Sequence, residues 1–235
     1  MAADDNITLK HAIASADLCA LLCAAFSFPT REMAEGIADG SFMDDFTACL
    51  KELDVRVSLP PPPIFHETDP LLNEMKREYT RLYQTPGRYH VLYPYETAFR
   101  HVADGHEGIP TLFIAPLTLD VERWMKRFDA LPENSRTEPV DHVATELDFL
   151  RLLYTSYANA LLQEDTEVVT AWLTEISGFY RQHVDPWIPE FMKATRVETR
   201  SSVYLALAEL ALVALEGLTS KTTPFAQSSL PEGNE

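Results

Sequence analysis

The sequence predicts an all-α protein built around one helical core. Apolar residues recur at every third or fourth position through most of the 235-residue chain, which is the spacing of amphipathic helices. Only 8 residues are glycine, about half the usual ~7%, and the 16 prolines are bunched rather than spread. The hydrophobic share of 46% and the chain length allow a core that needs no disulfide or metal. No segment is predicted as a strand.

The first part of the chain predicts four helices separated by capping residues and prolines. Proline is favoured at the first position of a helix and is excluded from its interior, so it marks both starts and spacers. The predicted order is a helix over Thr8–Phe26, a short helix capped by Thr30, a third helix capped by Ser41, an extended spacer at Pro60–Pro63, and a helix that begins at Asp69-Pro70 and runs over Leu71–Tyr83.

The second part begins with a stretch without periodicity and returns to helices. A loop of this length inside a domain is either functional or mobile. We divide the chain into an N-terminal helical part (1–83), an irregular hinge (84–117), a C-terminal helical part (118–218) and a disordered tail (219–235). Helices are predicted over Thr118–Phe128, from Pro139 to about Gln163, from a cap at Asp165 or Thr166 to His183, over Trp187–Ala194, and over Val197–Leu218, the last apolar nearly all round and therefore central.

The charge balance restricts the partners. The chain has 36 acidic and 19 basic side chains, a net charge of −17, which excludes a basic nucleic-acid footprint and disfavours an anionic membrane surface. The electrostatic field of such an acidic protein attracts a cationic small molecule, metal or peptide. The acidic start lacks a signal-peptide pattern, and no run approaches a membrane span of ~18 apolar residues, so we expect a cytosolic protein. Three cysteines, Cys19, Cys23 and Cys49, lack metal-site spacing. Cys19 and Cys23 are four residues apart on an apolar helix and are predicted as small core residues.

No common catalytic signature is present in the sequence. It contains no P-loop, no HExxH, no Gly-x-Ser-x-Gly and no Glu-x-x-His pair for a diiron site. His101 and His106 lie near Asp104 and Glu107 in the irregular segment, where a solvated loop is favoured over a metal site.

The segment that follows Pro139 is the most informative. Asp141 and His142 stand at a predicted helix start, where a carboxylate meets free N–H groups and the helix dipole. Glu146 falls near the centre of the apolar stripe, and a buried carboxylate requires a partner. We favour Glu146 as a structural pin bonded to a basic side chain or loop amides over a catalytic acid. An ion pair between His142 and Glu146, one turn apart, is a further option.

A second cluster repeats at four-residue steps as His183, Trp187 and Phe191. Pro186 and Pro189 bend the path between them. We expect Trp187 and Phe191 to fill a helix–helix corner with aromatic rings.

The two clusters resemble the TorD/DmsD/NarJ family of redox-enzyme maturation chaperones. The resemblance covers about Tyr79 to Leu218. It rests on Pro139, Asp141 and His142 followed by Glu146, Leu147, Phe149 and Leu150; on His183, Trp187 and Phe191; and, more weakly, on Tyr79, Leu82 and Tyr83 with the stretch Pro94–Thr97, where threonine replaces the usual serine.

The resemblance implies a cytosolic, helical chaperone that is not an enzyme and needs no cofactor or metal. Such proteins bind the catalytic subunit of a molybdopterin oxidoreductase, often at its twin-arginine leader, until the molybdenum cofactor is inserted, and so prevent premature export. It also implies a monomer or a dimer that exchanges helical halves about the hinge. The leader-binding residues expected from it are Pro139, Asp141, His142, Glu146, Tyr95, Glu96 and Trp124; Phe149, Leu150, His183, Trp187 and Phe191 form the structural motif.

The chemistry of a twin-arginine leader agrees with this expectation. The leader is cationic and then apolar, so its receptor needs carboxylates beside an apolar groove, and arginine pairs with carboxylates in bidentate geometry. We expect Asp141, Glu146 and Glu96 to supply charge, and the groove to be lined by Tyr95, Trp124, Phe149 and Leu150. Two alternatives remain open: a chaperone of the NarJ branch that binds a mature, non-exported subunit, and a small helical metal-dependent hydrolase that uses Asp141, His142, Glu146 and His183.

Overall fold

A computed structural model describes residues 3–55, 67–84, 92–108 and 110–222, with side chains from Thr8 to Thr219. These residues form ten α-helices and no strand, which confirms the all-α class. The helices are α1 Ala3–Phe26, α2 Arg31–Asp39, α3 Ser41–Glu52, α4 Thr68–Tyr79, α5 Glu96–Ala103, α6 Pro116–Arg127, α7 Val143–Leu162, α8 Thr166–Phe179, α9 Ile188–Glu198 and α10 Ser202–Thr222; π-helical turns extend α4 over Thr80–Gln84 and α8 over Tyr180–Val184.

The core lies where α1 packs lengthwise along α7, with α8 and α10 closing its sides. Leu18 and Leu22 of α1 and Leu147 and Leu150 of α7 are almost completely buried. Cys19 lies among them, and burial raises the pKa of its thiol well above the ordinary value, so it is the core residue that its spacing predicts. Burial of such side chains, each contributing about 1.5–3 kcal/mol, supplies most of the stability of a helical bundle.

Two helices are apolar and long enough to cross a membrane by composition alone, contrary to the expectation that no run approaches a span. They are Thr8–Phe26 and Ser202–Thr219, and in each 56% of the apolar window is buried inside the fold. A helix at the centre of a soluble bundle is apolar for the same reason as a membrane helix, because most of its faces meet other helices.

Several predicted helix starts differ from the structure. Ser41 is the first helical residue of α3 and not its cap; the cap is Gly40, whose φ of 88° also ends α2 in a conformation that suits glycine. Pro139 lies outside α7, which begins at Val143 after a turn at Val140 and Asp141. Thr30 and Asp165 cap α2 and α8 as predicted, each accepting a backbone N–H.

The segment 84–117 contains a helix, α5, although no regular structure is predicted there. With eight residues, α5 is too short to show a periodic pattern, and its start is held by contacts with α7. Helix α10 likewise continues to Thr222, into the predicted tail. The spacer Pro60–Pro63 and the rest of the tail, 223–235, lie outside the described residues. The division into four parts and the hinge role of 84–117 stay predictions.

Candidate functional site

The starts of α5 and α7 are joined backbone to backbone. The N–H of Glu96 donates to the carbonyl oxygen of Asp141 (2.8 Å), and the N–H of Val143 donates to that of Pro94 (2.8 Å). Tyr95 and His142 therefore pair as an isolated antiparallel bridge. This pairing brings two sequence clusters that lie more than forty residues apart into one site.

Asp141 caps α5 rather than its own helix. Its Oδ2 atom accepts from the backbone N–H of Thr97 (3.0 Å) and from the hydroxyl of Thr118 (3.0 Å). The N-cap residue of α5, Tyr95, makes no side-chain capping bond, so Asp141 fills that function from the turn before α7. The side chain is fully buried, its Oδ1 atom has no hydrogen-bond partner among the described residues, and burial raises the pKa of its carboxyl despite the bonds to Oδ2.

We expect Asp141→Ala to lower the free energy of unfolding by about 2–3 kcal/mol, because the cap of α5 and the bond to Thr118 are both lost. Asp141→Asn keeps the accepting oxygen and removes a buried charge, so its cost should stay below about 1 kcal/mol. Urea unfolding followed by circular dichroism measures both. Equal losses for the two variants would show that the carboxylate charge, and not the cap, is what the fold requires.

His142 does not pair with Glu146, contrary to one of the options above. Its Nδ1 atom accepts from the N–H of Ala144 (3.1 Å) and so caps α7, while Nε2 lies 3.4 Å from the hydroxyl oxygen of Tyr79. Burial lowers the pKa of His142 to about 4, and the ring is neutral at pH 7. Tyr95 packs edge-on against this ring and donates its hydroxyl to Oε1 of Glu138 (2.5 Å).

Glu146 is completely buried in the apolar stripe of α7, as its position predicts. Its partner is an indole, since Trp187 Nε1 donates to Glu146 Oε2 (2.9 Å), whereas we expected a basic side chain or loop amides. The Oε1 atom has no hydrogen-bond partner among the described residues. Burial, followed by the negative charges of Glu96 and Asp141, raises the pKa of Glu146 well above its usual range.

Glu96, predicted from the weaker motif, is also fully buried and anchors the other half of the network. Its Oε2 atom lies 2.9 Å from Nδ1 of His183, and its Oε1 atom accepts from Arg100 Nη1 (2.8 Å). The second ring nitrogen of His183, Nε2, lies 3.1 Å from Oδ2 of Asp120 on α6. His183 thus joins α5 to α6, a function that its place in the aromatic motif does not reveal.

Three of these side chains have a donor set suited to a metal ion. Glu96, Glu146 and His183 each offer one ligand atom, and the three atoms lie within 4.8 Å of one another; no other such group occurs in the described part of the chain. Only two members of the predicted quartet, Glu146 and His183, are in this group. His101 and His106 stack at 5.4 Å between ring centroids but form no such group with Asp104 or Glu107.

A groove lies directly outside the network, between α5 and the segment that leads into α6. We call it the α5–α6 groove; it encloses about 450 Å³. Exposed apolar side chains flank it, with Ile114 the most exposed at 75%. Its lining residues are Thr97, Arg100, His101, Asp104, His106, Thr111, Ile114, Ala115, Pro116 and Leu117, and the exposed apolar residues nearby in sequence are Val102, Phe113 and Leu119.

Most of the predicted site residues lie behind this groove rather than in it. Pro139, Asp141, Glu146 and Glu96 are buried, His142 is nearly so, and Tyr95 is partly exposed. Trp124 packs against Phe179, and Phe149 and Leu150 are in the core, so none of these three lines the groove. Trp187 and Phe191 are fully buried with their rings in contact, which confirms them as aromatic core residues.

Two groove residues that the sequence analysis did not select connect the groove to the network. Thr97 donates to Asp141, and Arg100 donates to Glu96. The available signal was the pair Phe113-Ile114, which stands between prolines in a segment without a helical face to bury it. Apolar residues in such a segment remain exposed unless a partner covers them.

The model of the nitrate reductase delta subunit family matches residues 40–193, which is about two thirds of the chain. The match includes α3 to α8, the first half of α9, and Glu96, Asp141, Glu146 and His183. The chain belongs to the nitrate reductase delta subunit family. Members of this family are maturation chaperones of molybdoenzymes and not catalytic subunits, which agrees with the resemblance at the level of the chaperone group. A search of curated proteins finds no match.

Proposed function

We propose that this delta-family protein is a cytoplasmic chaperone that binds the twin-arginine leader of a molybdopterin oxidoreductase catalytic subunit in the α5–α6 groove. Held there, the subunit stays in the cytoplasm until its cofactor is inserted. The observation that carries the proposal is the groove itself, which combines exposed apolar side chains with the carboxylate of Asp104.

The groove and the leader are complementary in charge and in polarity. Asp104 lines the groove, is exposed, and has no ion-pair partner among the described residues. Ile114 offers an apolar surface at the same opening. A leader presents two adjacent arginines followed by an apolar stretch, so a free carboxylate beside an apolar surface suits both parts. The net charge of −17 adds a long-range attraction for the cationic segment.

The buried residues that the family motif singles out act from behind the groove. Asp141 holds the first turn of α5 through Thr97, and Glu96 holds Arg100 at the groove wall. Without the bond to Glu96, the guanidinium of Arg100 would be free to repel an arginine of the leader. Asp141 and Glu96 are therefore positioning residues, and Asp141 also contributes negative charge at the base of the site.

Calorimetric titration with a leader peptide tests the proposal. We expect binding at micromolar concentration, loss of binding when both arginines of the peptide are alanine, and weaker binding as salt rises, because part of the attraction is Coulombic. Asp104→Asn should weaken binding by about tenfold or more, the usual effect of losing a charge-assisted hydrogen bond. Asp141→Asn should also weaken it. Asp148→Asn, an exposed carboxylate on α7 paired with Arg151, is the matched control and should bind as the wild type does.

A second candidate function, binding to another part of the catalytic subunit than the leader, is supported by the family, since the matching model describes a nitrate reductase delta subunit. In that case the chaperone binds a mature, non-exported catalytic subunit. The two arginine-to-alanine changes then have no effect, neither leader peptide binds, and a pull-down with the chaperone as bait recovers the leaderless catalytic subunit. That result would overturn leader recognition and leave the chaperone function in place.

A further inference from the structure

We propose that Glu96, Glu146 and His183 form a binding site for one divalent transition-metal ion, such as Zn²⁺, that joins α5, α7 and the π-helical turn after α8. This site is separate from the α5–α6 groove and does not depend on leader recognition. It also departs from the sequence analysis, which predicts no metal.

The donors are already close to the spacing that a metal requires. Their three ligand atoms lie within 4.8 Å of one another, and two atoms bound to a common Zn²⁺ at about 2.0–2.2 Å are roughly 3–3.5 Å apart. A shift of about 1–2 Å therefore brings them to bonding distance. One imidazole and two carboxylates are a donor set that Zn²⁺ and Mn²⁺ accept.

The buried carboxyl groups at this place are not fully paired. Glu96, Asp141 and Glu146 are completely buried, and Arg100 is the one guanidinium that bonds to any of them in the described part of the chain. The Oε1 atom of Glu146 and the Oδ1 atom of Asp141 have no hydrogen-bond partner among the described residues. Buried carboxylate oxygens are normally bonded, because leaving them bare is costly, and a cation would supply the missing partner.

Each proposed ligand has its remaining polar atom held by a second residue. Trp187 donates to Glu146 Oε2, which leaves Oε1 free. Arg100 donates to Glu96 Oε1, and Asp120 lies 3.1 Å from His183 Nε2. The remaining two atoms, Glu96 Oε2 and His183 Nδ1, lie 2.9 Å apart and hydrogen-bond to each other, and a metal ion would replace that bond. A carboxylate on the far nitrogen of a ligating histidine is the outer-shell arrangement common at metal sites. Asp120 is also the most exposed member of the network, at 35%, and marks the side from which an ion would enter.

Metal titration of the full-length protein after treatment with a chelator tests the site. We expect one equivalent of Zn²⁺ to bind and to raise the melting temperature, and Co²⁺ to give a visible spectrum of bound metal. Glu146→Gln keeps an oxygen for the indole of Trp187 and should weaken binding by about 100-fold or more. Asp120→Asn, which changes the partner of His183 Nε2 and the surface ion pair with Arg123 but no proposed ligand, should weaken binding by about 10–100-fold. Asp148→Asn, exposed on the same helix as Glu146, is the control and should leave binding unchanged.

Binding weaker than millimolar by the wild type would overturn the proposal. So would binding that survives Glu146→Gln but is lost in a His101→Gln/His106→Gln double variant, because that result places the ion on the two histidines that line the groove. If Glu146→Gln loses helicity by circular dichroism, Glu96→Gln takes its place with the same expected loss. Retained one-to-one binding in a folded Glu96→Gln variant contradicts the site.

Discussion

Trp187→Ala should lower the free energy of unfolding by about 3–5 kcal/mol, the usual cost of removing a large buried aromatic side chain. Trp187 is completely buried, and its ring contacts those of Phe99 and Phe191. The truncation leaves a cavity between α9 and α5. It also removes the one hydrogen bond that the side chain of Glu146 makes in the described part of the chain. Urea unfolding followed by circular dichroism is the measurement.

Trp187→Phe separates the two contributions of this side chain. Phenylalanine keeps most of the ring packing but cannot donate to Glu146, so we expect a loss of about 1–3 kcal/mol, the cost of an unsatisfied buried polar group. Glu146→Leu removes the acceptor instead, and leaves the buried indole N–H of Trp187 without a hydrogen-bond partner. A Trp187→Ala variant as stable as the wild type would contradict the packing of α9 described above.

The pH dependence of stability should contain a contribution of about 3 kcal/mol from His142. Burial lowers the pKa of His142 to about 4 in the folded state, against an ordinary value of 6.5. Below pH 6.5 the unfolded chain binds a proton on this ring and the folded chain does not, so stability falls as pH falls from about 6.5 to about 4. Above pH 6.5 both states are neutral at this residue and the contribution is fully present.

His142→Asn isolates that contribution. Asparagine caps helices well, so α7 retains an acceptor for the N–H of Ala144, and the titrating ring is gone. The pKa values of Asp141 and Glu146 are raised, and these two groups change stability in the opposite direction as pH falls. Because both proteins contain them, the difference in unfolding free energy between wild type and variant reports His142. Between pH 7 and pH 4 we expect the unfolding free energy of the wild type to fall by about 3 kcal/mol more than that of His142→Asn. A difference that does not change with pH would show that the ring is protonated or solvated in the folded state.

The helices that the sequence predicts well are those whose own periodicity specifies a buried face. Helix α1, the interior position of Glu146 on α7, and the buried rings of Trp187 and Phe191 follow from spacing alone. Capping residues are equally local: Thr30 and Asp165 each accept an N–H three residues later. Such features need no knowledge of the rest of the chain.

Helix α5 and the partners of the acidic residues depend on contacts between residues that are far apart in the sequence. The first turn of α5 is capped by Asp141, forty-four residues further along the chain, so no local pattern announces it. Glu146 bonds to Trp187 and not to a basic side chain, and His142 faces Tyr79 rather than Glu146. The acidic residues of the motif are buried together in the structure. Their exposure to a leader was expected from their charge, and charge does not indicate how deeply a side chain is buried.

The sequence by itself determined the all-α class, most helices, the acidic character of the protein and the residues of its family motif, because periodicity, composition and short capping patterns are properties of neighbouring residues. The tertiary structure decided that these carboxylates form a buried network, that Arg100 and Thr97 connect it to a groove, and that Glu96, Glu146 and His183 meet. Those outcomes depend on how α5, α6, α7 and the turn after α8 pack together. Contacts between residues far apart in sequence are set by the shape of the whole core, and no single segment contains that information.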